Sequence, residues 1–243
     1  MGREYYIASC VFTSQFPELS SRIRRYVSER YGMGVVRCCI PKYQVREFEE
    51  KMPAGALRES WASLPDGRVF ESGDTVWSLC HNCSNIIEEL RPGVAVPSLY
   101  ELILSDAEFA YPDYGGTRVI VQDCWRSRER RAEQEAVRAL LGKMNIGFSE
   151  QEENFEKTDF CGVSLLRPQP ARNPKVAPLH YGPEATAGKF APHTAEEQKR
   201  IMEEYCARFG GEKVVCYCHY CLEGLKLGGA EAKHIAELLF PEA

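Results

Sequence analysis

The chain has 243 residues, 44% hydrophobic and 11% aromatic, which is enough apolar material for one large packed domain or two small ones and excludes a disordered chain. A net charge of -5 argues against a nucleic-acid partner, and no run of about eighteen apolar residues is present to insert into a bilayer. Eleven cysteines without a secretory leader pattern predict a cytoplasmic protein whose thiols bind metal or do redox chemistry rather than form structural disulfides.

In chain order, YYIASC at 5–10 predicts a short strand that delivers Cys10 at its carboxyl end. A helix follows, with Pro17 near its start, an apolar stripe at Leu19, Ile23 and Val27, and Gly32 just past its end. The adjacent pair Cys38 and Cys39 comes next, and an insertion over 41–73 separates it from DTVWSLC at 74–80, a buried strand running into Cys80 and Cys83. A helix over roughly 84–90 and the segment SLYELI at 98–103 close the first half, with a linker near 105–117.

The second half repeats this order. RVIVQDC at 118–124 is a strand ending on Cys124. The basic run Arg126 to Arg131 is expected on a solvated helix face, followed by a helix with Ala132, Ala136, Ala139 and Leu140 as its buried stripe and Gly142 as its stop. Cys161 and Gly162 then precede a longer insertion over 163–211. Its proline-rich start, RPQPARNPKVAPLHYGPEA, reads as a surface loop packed across the domain, with a lid or partner-docking arm as the alternative. A helical segment at 194–209 leads to the strand EKVVCYC at 212–218, the pair Cys218 and Cys221, a helix near 222–227 and HIAELL at 234–239.

Strands alternating with helices in two matching halves predict an α/β fold of two pseudo-symmetric repeats, 1–110 and 111–243, each a small, largely parallel sheet flanked by helices. Ligands of such sheets gather beyond the carboxyl ends of the strands, where every strand-borne cysteine here arrives. The thiols therefore fall into two sets: Cys10, Cys38, Cys39, Cys80 and Cys83, then Cys124, Cys161, Cys218 and Cys221.

Soft thiolate ligands suit an iron–sulfur cluster, zinc or a metal-free thiol relay. Five thiols exceed the four that tetrahedral zinc takes. Each pair spaced two residues apart precedes a helix, whose amino-terminal dipole favours thiolate. Buried, inert thiols are the bland alternative, against which the repeated order stands. Cys206 and Cys216 fall outside both sets; Cys216, two residues before Cys218, reads as a core residue with a fifth-ligand role as the alternative. His81 and His219 hold equivalent positions inside the two Cys-His-x-Cys loops and could tune thiolate charge, or share their place only through the repeat. Trp125 reads as core or as a water shield, and His180 and His193 as solvated loop residues.

The order Cys, Cys-Cys, CxxC repeated on an α/β scaffold resembles the cysteine-rich CCG domain family, most closely its heterodisulfide reductase B-subunit branch, over nearly the whole chain. The resemblance implies a [4Fe-4S] cluster, noncubane in that branch's manner, held by Cys10, Cys38, Cys39, Cys80 and Cys83, which would be cofactor ligands and catalytic centre together. It implies a second metal set at Cys124, Cys161, Cys218 and Cys221, one thiol short because Phe160 stands where the family has cysteine, and so open to iron–sulfur or zinc. The first set departs from the family at Ile40, where a glycine is expected. The implied activity is reduction of a small-molecule or protein disulfide, or electron relay. The chain lacks a ferredoxin CxxCxxCxxxCP run, so electrons would come from a separate iron–sulfur or flavin protein. The alternative is a non-catalytic zinc scaffold or assembly subunit of a larger dehydrogenase.

Overall fold

The computed structural model describes residues 2–41 and 46–242; part of the 41–73 insertion thus lies outside the described residues. β1 (Glu4–Ile7) leads through α1 (Cys10–Gln15) into α2 (Pro17–Tyr31) and β2 (Gly34–Val36). Pro17 opens α2, Leu19, Ile23 and Val27 are its buried stripe, and Gly32 ends it in the left-handed conformation (φ 65°) that glycine adopts without a Cβ clash. The insertion carries α3 (Arg46–Glu49) and α4 (Ala56–Ala62), after which come β3 (Thr75–Trp77), α5 (His81–Leu90) and α6 (Leu99–Ser105).

The second half runs β4 (Arg118–Gln122), α7 (Arg131–Lys143) and β5 (Gly147–Glu150). Its insertion holds α8 (Asn173–Val176), α9 (Pro178–Tyr181) and α10 (Ala195–Cys206), and β6 (Val214–Cys216), α11 (His219–Leu227), β7 (Ala232–His234) and α12 (Ile235–Leu239) complete it.

The first sheet has the order β2-β1-β3 and the second β5-β4-β6-β7, with every pairing parallel. The first sheet also has the beginnings of a fourth strand, because isolated parallel bridges join Thr75 to Ala95 and Ser78 to Ser98 where β7 lies beside β6 in the second. Both of these edges end in a capping box: Ser98 with Glu101 opens α6, and His234 with Glu237 opens α12. The fold is α/β, with two repeat-like parallel sheets flanked by helices. The largest cluster of buried apolar side chains draws on both halves, from Tyr6, Ile23 and Ile86 to Val137, Leu140 and Tyr217.

Two local expectations need correction. The helices after the CxxC pairs begin at His81 and His219, three residues earlier than the apolar pattern suggests, because extended Cys80 and Cys218 serve as N-caps and the motif itself forms the first turn. In α7, Ala132 and Ala139 are exposed, while Glu133, Gln134 and Arg138 are buried alongside Ala136, Val137 and Leu140. Polar residues occupy that face because they find buried partners there. Arg138 holds Asp123 through two 2.8 Å bonds and also reaches Glu150, and Tyr217 donates to the same Asp123 (2.6 Å).

The proline-rich segment is packed across the molecule. Asn173 Nδ2 donates to Asn82 Oδ1 (3.1 Å), the backbone N–H groups of Leu179 and His180 donate to the Glu89 carboxylate, and Tyr181 meets Asn85. It therefore lies along α5, the helix that carries the first CxxC pair. No helix among the described residues is long and apolar enough to cross a membrane.

Candidate metal centres

Both cysteine sets gather beyond the carboxyl ends of their strands, where parallel strands leave room for a ligand. In the first set, Cys10 opens α1 directly after β1, Cys38 and Cys39 follow β2, and Cys80 and Cys83 sit at the N-cap and third position of α5. All five are buried and line one cavity together with Ser9, Asn82 and Arg172. Gly67 packs its backbone closely against the Cys38–Cys39 pair. Its N–H donates to the Cys38 carbonyl (2.7 Å), and a Cβ there would lie 2.6 Å from the Cys39 carbonyl oxygen.

The five thiols run round the cavity as a chain of contacts, Cys10 to Cys38, Cys38 to Cys39, Cys39 to Cys83 and Cys83 to Cys80. Hydrogen bonds from Cys10 and Cys39 pull the Cys38 thiol down to about 4, and the charge of Arg172 adds to this. The other four are pushed up, first by donating to a neighbouring sulfur and then by burial.

The second set is more compact. Cys124 follows β4, Cys161 precedes the 3₁₀ turn Gly162–Leu166, and Cys218 and Cys221 hold the N-cap and third position of α11. All four sulfurs are buried and lie within 4.8 Å of one another, the only such group among the described residues; Cys124 and Cys161 are 3.4 Å apart. A metal–sulfur bond of about 2.3 Å in a tetrahedron spaces its sulfurs by roughly 3.8 Å, so these four thiols fit a single tetrahedral ion with little adjustment.

No protein-family model, curated protein or solved structure matches the chain. The resemblance to the CCG family therefore rests on the cysteine pattern alone.

Gly162 brings Cys161 into the second group. It has φ +51°, and a Cβ on it would lie 2.0 Å from the Tyr220 carbonyl oxygen, so only glycine lets this turn rest on the loop between Cys218 and Cys221. Phe160, just before Cys161, stacks its ring on Tyr205 at 4.1 Å, and Tyr205 is itself tied to Gln122 (2.7 Å). Burial opposes charge at Cys161 and Cys218. Hydrogen bonds from neighbouring thiols, with Arg126 beside Cys161 and His81 beside Cys218, nonetheless hold both below the usual thiol range. Burial, with the neighbouring sulfurs, pushes Cys124 and Cys221 up.

The two histidines inside the motifs diverge. His81 crosses the seam between the halves: its Nε2 lies 3.2 Å from Glu133 Oε2 and its ring stands edge-on to Tyr217. Burial disfavours its charge, but Glu133 and the Cys218 sulfur outweigh that and raise it to about 10. His219, without a carboxylate, is lowered to about 4 by burial. Cys216 stands outside the four-sulfur group, its thiol directed at the carbonyls of Cys218 (3.7 Å) and Lys233 (3.8 Å), and Cys206 lies against the Leu225 carbonyl. Both are core residues. Trp125 packs edge-on against Phe190. His180 is pinned to Glu89 at 2.7 Å rather than freely solvated, whereas His193 stays half-exposed near Glu197.

The basic run is only partly a solvated face. Arg131 is exposed, but Arg126 is buried with Nη1 2.5 Å from Cys161 Sγ and 2.7 Å from Ser164 Oγ. Its place two residues after Cys124 was the available signal; charge-run logic hid it. Arg172, inside the proline-rich stretch, carried no local signal for its position at the first cavity.

Proposed function

We propose that the chain is an iron–sulfur oxidoreductase subunit of the heterodisulfide reductase B type, with its redox centre at Cys10, Cys38, Cys39, Cys80 and Cys83 and a structural tetrahedral zinc at Cys124, Cys161, Cys218 and Cys221. The observation that carries this reading is the convergence of five buried thiols on one cavity at the ends of three parallel strands. That is one ligand more than mononuclear zinc uses. The donor set fits a cluster chemically: all five sulfurs are free, and Arg172 adds positive charge at the rim.

When bound, a four-iron cluster supplies one-electron steps and an open iron for sulfur. The chain's own residues hold the ligands and keep water away. Trp61, wholly buried, ties the turn before Cys10 through Nε1 to the Ala8 carbonyl (3.0 Å). Ser78 fixes the Cys80 backbone N–H (3.1 Å), and the strap bearing Arg172 covers α5. The net reaction is RS–SR plus two electrons and two protons giving two RSH, with the electrons delivered by an iron–sulfur or flavin protein. Eleven free thiols suit a reducing compartment, the cytoplasm.

The test is iron, sulfide and zinc content after anaerobic purification, with visible and low-temperature electron paramagnetic resonance spectra. About four irons with a redox-active signal and one zinc per chain are expected, and Cys39→Ser should remove the iron while sparing the zinc. Zinc alone, from iron-replete cells, would overturn the reading. It would favour a non-catalytic zinc scaffold docking into a larger dehydrogenase, which the compactness of the second sulfur group already suits.

A further inference from the structure

Arg126 and Arg138 are both buried guanidinium groups in the second half, but their surroundings differ. Arg138 lies between the carboxylates of Asp123 and Glu150. No carboxylate among the described residues lies within ion-pair distance of Arg126. Its shortest polar contacts are Cys161 Sγ (2.5 Å) and Ser164 Oγ (2.7 Å), and the Tyr181 hydroxyl also meets it. The rings of Trp125, Tyr181, Phe190 and Tyr220 stand 5.5 to 6.0 Å from its guanidinium carbon.

Taking a guanidinium out of water costs several kcal/mol unless an anion and hydrogen bonds replace its hydration. Aromatic faces return part of that cost, of order 0.5–2 kcal/mol. The contacting group able to supply the remaining counter-charge is the Cys161 sulfur, as a thiolate. Conversely, four thiolates around a divalent ion carry a net double negative charge in a buried site, which the guanidinium halves.

We propose that Arg126 is the counter-ion and positioning residue of the second centre: its guanidinium holds the Cys161 sulfur in ligand position and offsets the negative charge of a four-thiolate metal site. The proposal rests on the reading of that set as a metal site. Ser164 completes the clamp. Its hydroxyl donates to the Cys161 carbonyl (3.0 Å) and lies 3.4 Å from the same sulfur, so the thiol and its turn are fixed together. Tyr181, in the proline-rich segment, and Phe190, just beyond it, pack their rings on the guanidinium, which also lines the adjoining cleft with Asn85 and Glu133.

The test is cobalt(II) and zinc(II) binding by the full chain in a Cys38→Ser/Cys83→Ser background, which leaves the second centre as the binding site. Affinity is read by chelator competition and geometry by the sulfur-to-cobalt charge-transfer bands. Arg126→Met should weaken binding 10- to 100-fold, the usual effect of losing a group that orients a metal ligand. Arg126→Lys, which keeps the charge but not the forked donor, should recover part of the affinity with shifted bands. Binding by both variants within about threefold of the parent, with unchanged bands, would overturn the proposal and leave the metal site standing. Absence of any metal binding by the parent would overturn the underlying reading and the proposal with it. Should Arg126→Met fail to fold by circular dichroism, the lysine variant alone decides: parental affinity and parental bands would refute the role of the guanidinium contact.

Discussion

Replacing Gly162 with alanine tests how the second centre is assembled. Two costs can be separated. An L residue at φ +51° carries the left-handed penalty, roughly 1–2 kcal/mol. The added Cβ would also lie 2.0 Å from the Tyr220 carbonyl oxygen and 2.8 Å from its carbon, so backbone must move. There is no slack on the other side, because Gly224 is packed so closely that its own Cβ would meet Gly162 Cα at 2.6 Å. Overpacking of this kind costs about 1–3 kcal/mol, giving a total of roughly 2–5 kcal/mol. At 2–4 °C per kcal/mol for a chain of this size, the melting temperature should fall by about 4–20 °C. Gly210→Ala is the matched control, since Gly210 has φ +58° but a Cβ on it would meet nothing within 4 Å, leaving the left-handed penalty alone. The assay is thermal unfolding of both variants with and without bound zinc, together with zinc content. Gly162→Ala should lose metal and melt well below Gly210→Ala. Equal melting temperatures and equal metal retention would refute the idea that this glycine seats Cys161 against the CxxC loop.

Three further outcomes follow from buried groups. Arg138→Met strips the fully buried Asp123 carboxylate of its ion-pair partner and should cost about 3–5 kcal/mol in urea unfolding, whereas a loss below 1 kcal/mol would show that the Tyr217 hydroxyl and the Phe155 backbone N–H satisfy it between them. Burial lowers His234 to about 3, below the ordinary value near 6.5, so the unfolded chain takes up that proton first. Its contribution is intact above pH 6.5 and is lost as pH falls from there toward 3, by about 1.4 kcal/mol per unit. His234→Asn keeps an acceptor for the Ala236 N–H and removes the titration, so the stability lost between pH 7 and 5 should shrink by about 2 kcal/mol; an unchanged pH slope would argue against it. Cys216→Ala should leave the metal content of the second centre unaltered, because the thiol faces carbonyls rather than the sulfur group. Loss of metal in that variant would restore Cys216 as a ligand.

The α/β class and the duplicated strand order were legible because the signals are local: apolar runs of β-rich residues, Pro17 and Gly32 around a helical stripe, and cysteines at fixed distances after strands. What escaped was long-range. Ala132 and Ala139 looked like a core stripe, yet buried Arg138 and Glu133 occupy the inner face because Asp123, Glu150, Ser98 and His81 wait there from other elements. The glycine that supports Cys39 is Gly67, twenty-eight residues downstream, and no pattern around Ile40 points to it. Arg126 looked solvated because its neighbours in the run are charged; only the fold puts a sulfur and four rings around it.

The two repeat-like sheets present their cysteines in equivalent frames, but the side chains around the two sets differ. At the first, five thiols are spread round a cavity; at the second, the Phe160 ring before Cys161 is stacked on Tyr205, and four sulfurs lie within 4.8 Å of one another. The paired histidines follow the same divergence: Glu133 and the Cys218 sulfur favour the charged form of His81, while burial favours the neutral form of His219. Each centre is also bordered by a residue from the other half, His81 beside Cys218 and Arg172 beside Cys38. Around the second group, the buried Arg126 guanidinium on Cys161 and the His81 imidazole reaching from the first half surround four sulfurs drawn close enough for a single ion.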